Sequence, residues 1–449
     1  MKKGPVPKLL IWPLVFFLAL SCAKSDSQGP QVPARPTTFA FQGKPTAGIT
    51  FLSTQMNPVE EAGRMRNAIL KDFPGKVDFR PNDNSFLFRQ VNTMLQGDPT
   101  ASILVGALHG DLVKLYEEGA LRPLNDVYAG LGARSFLDSL MKLSRLDGKD
   151  IYYIPWMQAS FVMVANKKAL PYLPRGADLN ELSYDQLEQW AKDIFDRTGM
   201  KAFGFPAGEK GLMHRFFQGY LYPSYTASTL LKFRSPDAKA MWGYFKGLWR
   251  YVNPSSLVYS TMAEPLLTDD VWIAWDHTAR FVKAFEQRPS DFVAFPAPIG
   301  PKGRGFMSVV SGLGIPKNVV DAGNPAVLID YLTRPEIQDR TLSETGFFPV
   351  VASGAKDGVP LYLQELSAAV GRQAASPDAV PTLVPIGLGE RGDDYNSLFM
   401  LTFSQIVLEG RDASAVLNSN AALLQKLMDE ENAKCWLPDV SEERPCKIE

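Results

Sequence analysis

From Ala47 onward, short strand-like runs alternate with amphipathic helical segments, and a chain that alternates in this way builds a mostly parallel sheet covered by helices. The expected fold class is therefore α/β. Ile49–Ser53 reads as a strand, and Asn57-Pro58-Val59-Glu60 supplies a cap, a first-turn proline and an early acid. Val59, Ala62, Met65, Ile69 and Phe73 then recur at helical spacing and predict one buried face. Val77–Arg80 reads as a second strand, Phe86–Gln96 as a helix stopped by Gly97, and Ile103–Gly106 as a third strand. A short helix over Asp111–Glu118 follows, with Gly119 at its C-terminal turn. Further strands are expected at Ile151–Ile154, Phe161–Ala165, Val271–Trp275 and Phe292–Phe295. Helices start at the Ser183 and Gln186 capping box and at Ser235-Pro236. In the second of these, Met241, Phe245, Leu248 and Val252 read as core. The Pro/Gly-rich stretch Pro296–Gly305 suits a crossing between two lobes.

With 449 residues, 45% of them apolar, the chain has room for two or three domains or for two lobes of roughly 200 residues each. Lys plus Arg number 47 against 48 Asp plus Glu. That balance, without a basic stripe, argues against a nucleic-acid partner, which would need its phosphates neutralised. The three histidines, His109, His214 and His277, and the three cysteines lie far apart. No metal site and no cofactor are expected from such spacing.

Lys2, Lys3 and Lys8 precede an apolar run, Leu9–Leu20, that is shorter than the roughly 20 residues of a membrane-spanning helix. It reads as an export signal over residues 1–21. Leu18-Ala19-Leu20-Ser21-Cys22 resembles the bacterial lipoprotein signal, although leucine stands four places before the cysteine rather than three. Acylation of Cys22 and membrane attachment are the expectation, an ordinary signal peptide with an incidental cysteine the alternative. Residues 22–46, rich in Ser, Gln, Pro and Thr, read as a solvated tether. Export permits disulfides, and with Cys22 acylated, Cys435 and Cys446 are left to form a bridge or to stay as two thiols.

Several segments, in order, resemble the extracellular solute-binding proteins of ABC importers, in particular those that carry sugars. "ITFLSTQMNPVEEAGRMRNAILKDFPGKVDFR" is similar to that family's first strand, helix and second strand. "LVKLYEEGALRPLNDV" and "DGKDIYYIPW" resemble its next helix and the strand leading into its hinge. "WIAWDHTARF", "FPAPIGPKGRGFMSVVSGLGIPK", "SETGFFPV" and "GLGERGDDYN" resemble a carbohydrate-binding subfamily. The acid that the family often places in Pro-Asp before the third strand is displaced here, in Asp98-Pro99-Thr100-Ala101-Ser102. The resemblance implies a periplasmic-binding-protein-like fold of two α/β lobes joined by a multi-crossing hinge. Carried over, the first lobe takes residues 47–157 and 298–345, and the second takes 158–297 and 346–449. A monomer is expected to trap a mono- or oligosaccharide between the lobes and to present the closed form to the permease.

A sugar needs side chains that both donate and accept, flanked by flat aromatic surfaces, and ligands of open parallel sheets lie beyond the carboxyl ends of strands. Ser53, Thr54 and Gln55 close the first strand, with turn chemistry as the alternative for the hydroxyls. His109 and Asp111 follow the third strand, His109 as a hydroxyl donor and Asp111 as a ligand contact or an N-cap. Trp156 lies at the predicted crossing, and Trp275, Asp276 and His277 follow another strand; the indoles are candidates for stacking or for core. Arg280 is placed to pair with Asp276 at i,i+4. Gly312 and Gly346 are assigned to the hinge. Gly387–Gly392 matches G-x-G-x-x-G, but no βαβ unit follows, so a dinucleotide site is rejected. Arg391 in that loop is a ligand candidate, with a surface salt bridge as its rival.

No nucleophile elbow, His-Glu-Xaa-Xaa-His or Walker sequence is present, and Glu60-Glu61 and Glu117-Glu118 sit on helix faces expected to be solvated. The reading is a sugar receptor without catalysis. A surface lipoprotein with a sensory or adhesin role, and a secreted glycan-active enzyme, are the alternatives, because fold does not fix function.

Overall fold

In the computed structural model, residues 44–449 are described apart from 57–58, 98–100, 147, 320–321, 353–358 and 442. The export signal, Cys22, most of the tether, the Asn57-Pro58 cap and Asp98-Pro99-Thr100 lie outside the described residues. Ten strands among the described residues fall into two sheets: β1 Ile49–Ser53, β2 Val77–Pro81, β3 Ile103–Leu108, β4 Ile154–Ala159, β5 Phe161–Asn166, β6 Phe203–Gly204, β7 Ile273–His277, β8 Phe292–Phe295, β9 Arg304–Gly314 and β10 Ala379–Leu383. The first sheet runs β10-β9-β3-β1-β2, with β4 also on β9, and the second runs β6-β7-β5-β8.

In the first sheet β1 is parallel to both β2 and β3, joined through α1 (Val59–Arg64) and α2 (Asn84–Leu95). The helix α3 (His109–Glu117) leaves β3 directly. The carboxyl ends of β1, β2 and β3 therefore lie together, each feeding a loop or helix onto the same edge. Phe51 stands opposite Phe79 and Leu104 in the registers of the three strands, and all are buried. The α1 stripe departs from expectation at one end, for Val59 is 82% exposed while Ala62, Met65, Ile69 and Phe73 are buried. The helix runs on from α1 into a π turn over Met65–Ile69.

Among the described residues the chain passes from one sheet to the other between β4 and β5 and again between β8 and β9. β4 begins at Ile154 and runs through Pro155 and Trp156 to Ala159, where residues 151–154 had been expected to form the strand. Its register on β9 shifts between Pro155 and Met157, because proline supplies no ladder donor and is accommodated at a bulge. The chain passes to β5 at Ser160, whose hydroxyl donates to the Met307 carbonyl at 2.8 Å and meets Tyr220 Oη at 3.1 Å. It returns through residues 296–303, between β8 and β9, the Pro/Gly-rich stretch singled out in the sequence. Sheet membership departs from the expected lobe boundaries in two places: β4 spans the 157/158 division, and β10, from the 346–449 segment, pairs with β9 in the first sheet.

The expected caps are present. Ser183 and Gln186 form a reciprocal capping box before Tyr184–Thr198, which ends at Gly199 with φ +74°, and Ser235 caps Pro236–Trp249. Met241, Phe245, Leu248 and Val252 are all buried. Cys435 and Cys446 are joined as a disulfide with Cα atoms 4.8 Å apart. The loop that the bridge closes is tied down by buried Asp439, which accepts from the amides of Thr229 and Leu230, both at 2.7 Å. None of the helices among the described residues is long and apolar enough to cross a membrane.

Candidate ligand-binding cleft

The helices at the carboxyl edge of the first sheet meet the segment Met213–Phe216 and the loop and helix around residues 384–396. Asn84 at the start of α2, Asp111 in α3, Arg215, Leu388, Gly392 and Asn396 line a small pocket. Asp111 is only 6% exposed. Its Oδ1 accepts from Asn84 Nδ2 at 2.9 Å, whereas no protein group hydrogen-bonds to its Oδ2. Burial pushes this carboxyl up to about 7, opposed by the Arg215 guanidinium and reinforced by Asp393. Arg215 donates to Gln218 Oε1 at 2.8 Å, and Gln218 donates to Asn396 Oδ1 at 3.1 Å. An acceptor on the first-sheet side thus faces a donor from the segment after β6, an arrangement suited to a hydroxyl that donates to one and accepts from the other.

A second cross-contact lies nearby. Glu61 on α1 is pushed up to about 6 by desolvation, opposed by Arg280 and Arg64, and Arg280 sits on the helix Thr278–Gln287 that follows β7. His214 lies between the two patches; burial and the charges of Arg215 and Arg280 drive it well below the ordinary imidazole value. Glu61, expected on a solvated face, is half-buried against the second sheet's elements.

The other sequence candidates divide. His109 is buried, and its Nδ1 shares a 3.0 Å hydrogen bond with Tyr153 Oη. Burial lowers it to about 4, so it is neutral and held by a protein partner. Gly312 permits that arrangement, since a Cβ there would stand 2.1 Å from Tyr153 Cδ2; its role is local packing beside the site. Gly346 has φ +73° and ends Pro335–Thr345, turning the chain into Phe347, whose ring lies 5.3 Å from His277. His277 is pushed down to about 3 by burial and by Arg280. Ser53 bonds within its own turn, accepting from the Gln55 amide at 2.9 Å and donating to the Gln55 carbonyl at 3.1 Å. Gln55 Nε2 donates to Thr54 Oγ1 at 3.1 Å. Turn chemistry therefore accounts for Ser53, and the Thr54 and Gln55 side chains pair with each other.

At four candidate positions the side chains are engaged by protein. Trp156 is inside β4 rather than at a crossing loop, fully buried 5.3 Å from Phe51, so its faces serve the core. Trp275 is likewise fully buried, stacked on Phe161 at 4.7 Å and 3° and edged by Phe216 and Tyr220. A sugar ring would have to displace Phe161 to reach that face. Asp276 spends both oxygens on protein, accepting from the amides of His277 at 2.7 Å and Met262 at 2.9 Å, while Arg280 Nη1 stands 4.0 Å away at i,i+4. Burial raises Asp276 to about 6 despite these partners. Arg391 points outward, paired with Asp394 and with Glu430 at 2.7 Å, although Gly389 and Gly392 beside it line the pocket.

Sequence reasoning missed Asn84, Arg215, Asn396 and Glu61. Asn84 carried a usable signal, for it follows β2 at the same carboxyl edge that drew attention to β1 and β3. Arg215 carried none, because its helix is a single turn without a distinctive pattern. No cluster of three His, Cys, Asp or Glu suited to a metal occurs among the described residues.

Residues 66–361 match the sequence pattern of bacterial extracellular solute-binding proteins. A search of curated proteins returns no match. Among solved structures, UgpB from Mycobacterium tuberculosis in complex with glycerophosphocholine superposes with TM-score 0.68 at 18% identity, covering 86% of this chain and 99% of that one. Maltose-bound T. maritima MalE3 gives TM-score 0.65 at 15% identity, with coverage of 85% and 100%. The sugar-binding protein MalE of Xanthomonas citri gives 0.64 at 17%, with coverage of 85% and 97%.

Proposed function

Because the chain belongs to the bacterial extracellular solute-binding proteins, we propose that it captures a sugar or sugar-like solute in the cleft between its two sheets and delivers it to the permease of an ABC importer. The observation that carries this reading is the pocket lined by both Asp111, whose Oδ2 is buried and unpartnered, and Arg215. Asn84 and Asn396 add amide groups that both donate and accept, as a polyol requires. Similar folds hold glycerophosphocholine in UgpB and maltose in MalE3. Both are small polar solutes rich in oxygen.

In this reading the two lobes hinge at Ser160 and at residues 296–303, ligand contacts made from both walls favour the closed arrangement, and the permease distinguishes closed from open. The protein performs no chemistry on its cargo. A dissociation constant of about 1 μM, near -8 kcal/mol, would capture a scarce solute and still release it. Export through residues 1–21 and acylation of Cys22 would keep the receptor at the membrane, acting as a monomer.

Isothermal calorimetry of the purified protein against maltose, galactose, chitin oligosaccharides and glycerophosphocholine tests the ligand class. Saturable binding of one of them at micromolar concentration is expected, and it should be lost in Arg215→Ala. Absence of heat across the panel to millimolar concentration argues against the sugar-like class. Anchoring is tested separately: the protein should leave the membrane fraction only with detergent, and Cys22→Ser should release it.

A further inference from the structure

Asp111 is a carboxylate that the protein buries and does not satisfy. One oxygen is bonded by Asn84, the other is buried without a hydrogen-bond partner, and the pocket that Asp111 lines is also lined by Arg215, Leu388 and Asn396. A charged oxygen taken from water without a compensating hydrogen bond is costly, so bringing these walls together over an empty pocket works against itself.

We propose that Asp111 guards against empty closure, so that the cleft closes at neutral pH only over a solute that presents a hydrogen-bond donor, a hydroxyl or an ammonium, to its free oxygen. This rests on the hinged, ligand-trapping reading above and adds to it a chemical requirement on the ligand. A solute offering only acceptors at that point, such as an ether or an ester oxygen, leaves the charge unmet.

The groups facing Asp111 define the sign. From Met213–Phe216 comes Arg215, with His214 next to it in the chain, from Gly392–Phe403 comes Asp393, from α2 comes Asn84, the Leu108 backbone hydrogen-bonds the carboxyl and lowers it, and on α3 itself lie His109 and Lys114, the latter tied to Glu431 at 2.8 Å. Burial lowers His109 to about 4 and, with the charges of Arg215 and Arg280, drives His214 well below the ordinary imidazole value. Arg215 opposes the burial penalty on Asp111 without overcoming it, since the carboxyl remains at about 7. Glu61 adds to the effect, facing Arg280 and Asp276 from the second sheet and Arg64 and Glu60 on its own helix. A carboxyl raised in the closed arrangement binds its proton more tightly there than in the open one. Acid therefore favours closure of the empty protein, by up to about tenfold per pH unit between pH 7 and pH 4.

The test needs no ligand. Nitroxides on the exposed positions Asn67→Cys and Lys239→Cys, in a Cys22→Ser background of the full chain, report the distance between the walls by double electron–electron resonance. The ligand-free protein should show a longer distance at pH 8 and shift to a shorter one at pH 5. Asp111→Asn should already show the shorter distance at pH 8. A distribution that does not move between pH 8 and pH 5 overturns the proposal, and so does an Asp111→Asn protein that overlays the unsubstituted one at pH 8. Should Asp111→Asn fail to fold, the pH series alone decides. Neither result depends on which sugar binds, so a silent calorimetric panel and a failed guard are separate outcomes.

Discussion

Gly312 lies against the ring of Tyr153, leaving no room for a side chain, and Tyr153 in turn holds His109 through a 3.0 Å hydrogen bond. A strand glycine in β9 thereby fixes the first residue of α3, two positions before Asp111. Gly312→Ala should force the Tyr153 ring aside and destabilise the fold by about 1–3 kcal/mol, as overpacked cores do. Tyr153→Phe keeps the ring and removes only the hydroxyl, leaving His109 Nδ1 unpaired at a cost of about 1–3 kcal/mol. Urea titration of both variants checks this. A Gly312→Ala protein with an unchanged midpoint would mean that the ring moves freely.

Trp275 is expected to act through stability. Removing an indole that is fully buried against Phe161, Phe216 and Tyr220 should cost about 3–5 kcal/mol. Trp275→Phe should recover much of it. If Trp275→Ala instead keeps its unfolding midpoint while sugar affinity falls tenfold, the indole is a ligand platform and the packing interpretation is wrong.

The contrast between Trp275 and Asp111 shows what a sequence makes legible here. The alternation of strands and helices, the caps at Ser183 and Ser235 and the carboxyl-edge rule depend on local pattern, and they located β1, β3 and the helix α3 that carries Asp111. Whether an aromatic beside that edge faces a ligand or a core depends on residues far away in the chain. Phe161 and Phe216, which enclose Trp275, come from other elements. Arg215 was invisible for the same reason, since its partners on α3 and near residue 396 are brought to it only by the tertiary fold.

Asp439 should anchor the C-terminal segment. Its carboxylate is buried and accepts from the Ser228 hydroxyl and from the amides of Thr229, Leu230 and Leu231, the last at 3.3 Å. Asp439→Ala leaves those donors without their acceptor and should destabilise by about 3 kcal/mol. Cys435→Ser with Cys446→Ser should cost a similar amount, about 3 kcal/mol, by relaxing the constraint on the unfolded chain. Because the bridge and Asp439 hold the same short segment, the triple variant should fall short of the sum. Thermal unfolding of the two variants and their combination measures the coupling, and strict additivity would show that the two fastenings are independent.

His277 supplies the clearest pH signature. Folded, it is held at about 3 by burial and by Arg280, whereas an unfolded histidine titrates near 6.5. Its folded value is depressed, so the unfolded chain takes up the proton first as the solution is acidified. The contribution to stability is complete above pH 6.5 and is lost progressively from there toward pH 3, with a slope of at most about 1.4 kcal/mol per pH unit. Asp111, raised to about 7, runs the other way over pH 7 to 4 and offsets part of the loss. His277→Gln removes one of these opposing slopes and not the other. Its stability, measured by guanidinium titration at pH 7.5, 6 and 5, should fall less steeply than that of the unsubstituted protein. Equal slopes would show that His277 already carries its proton in the folded state.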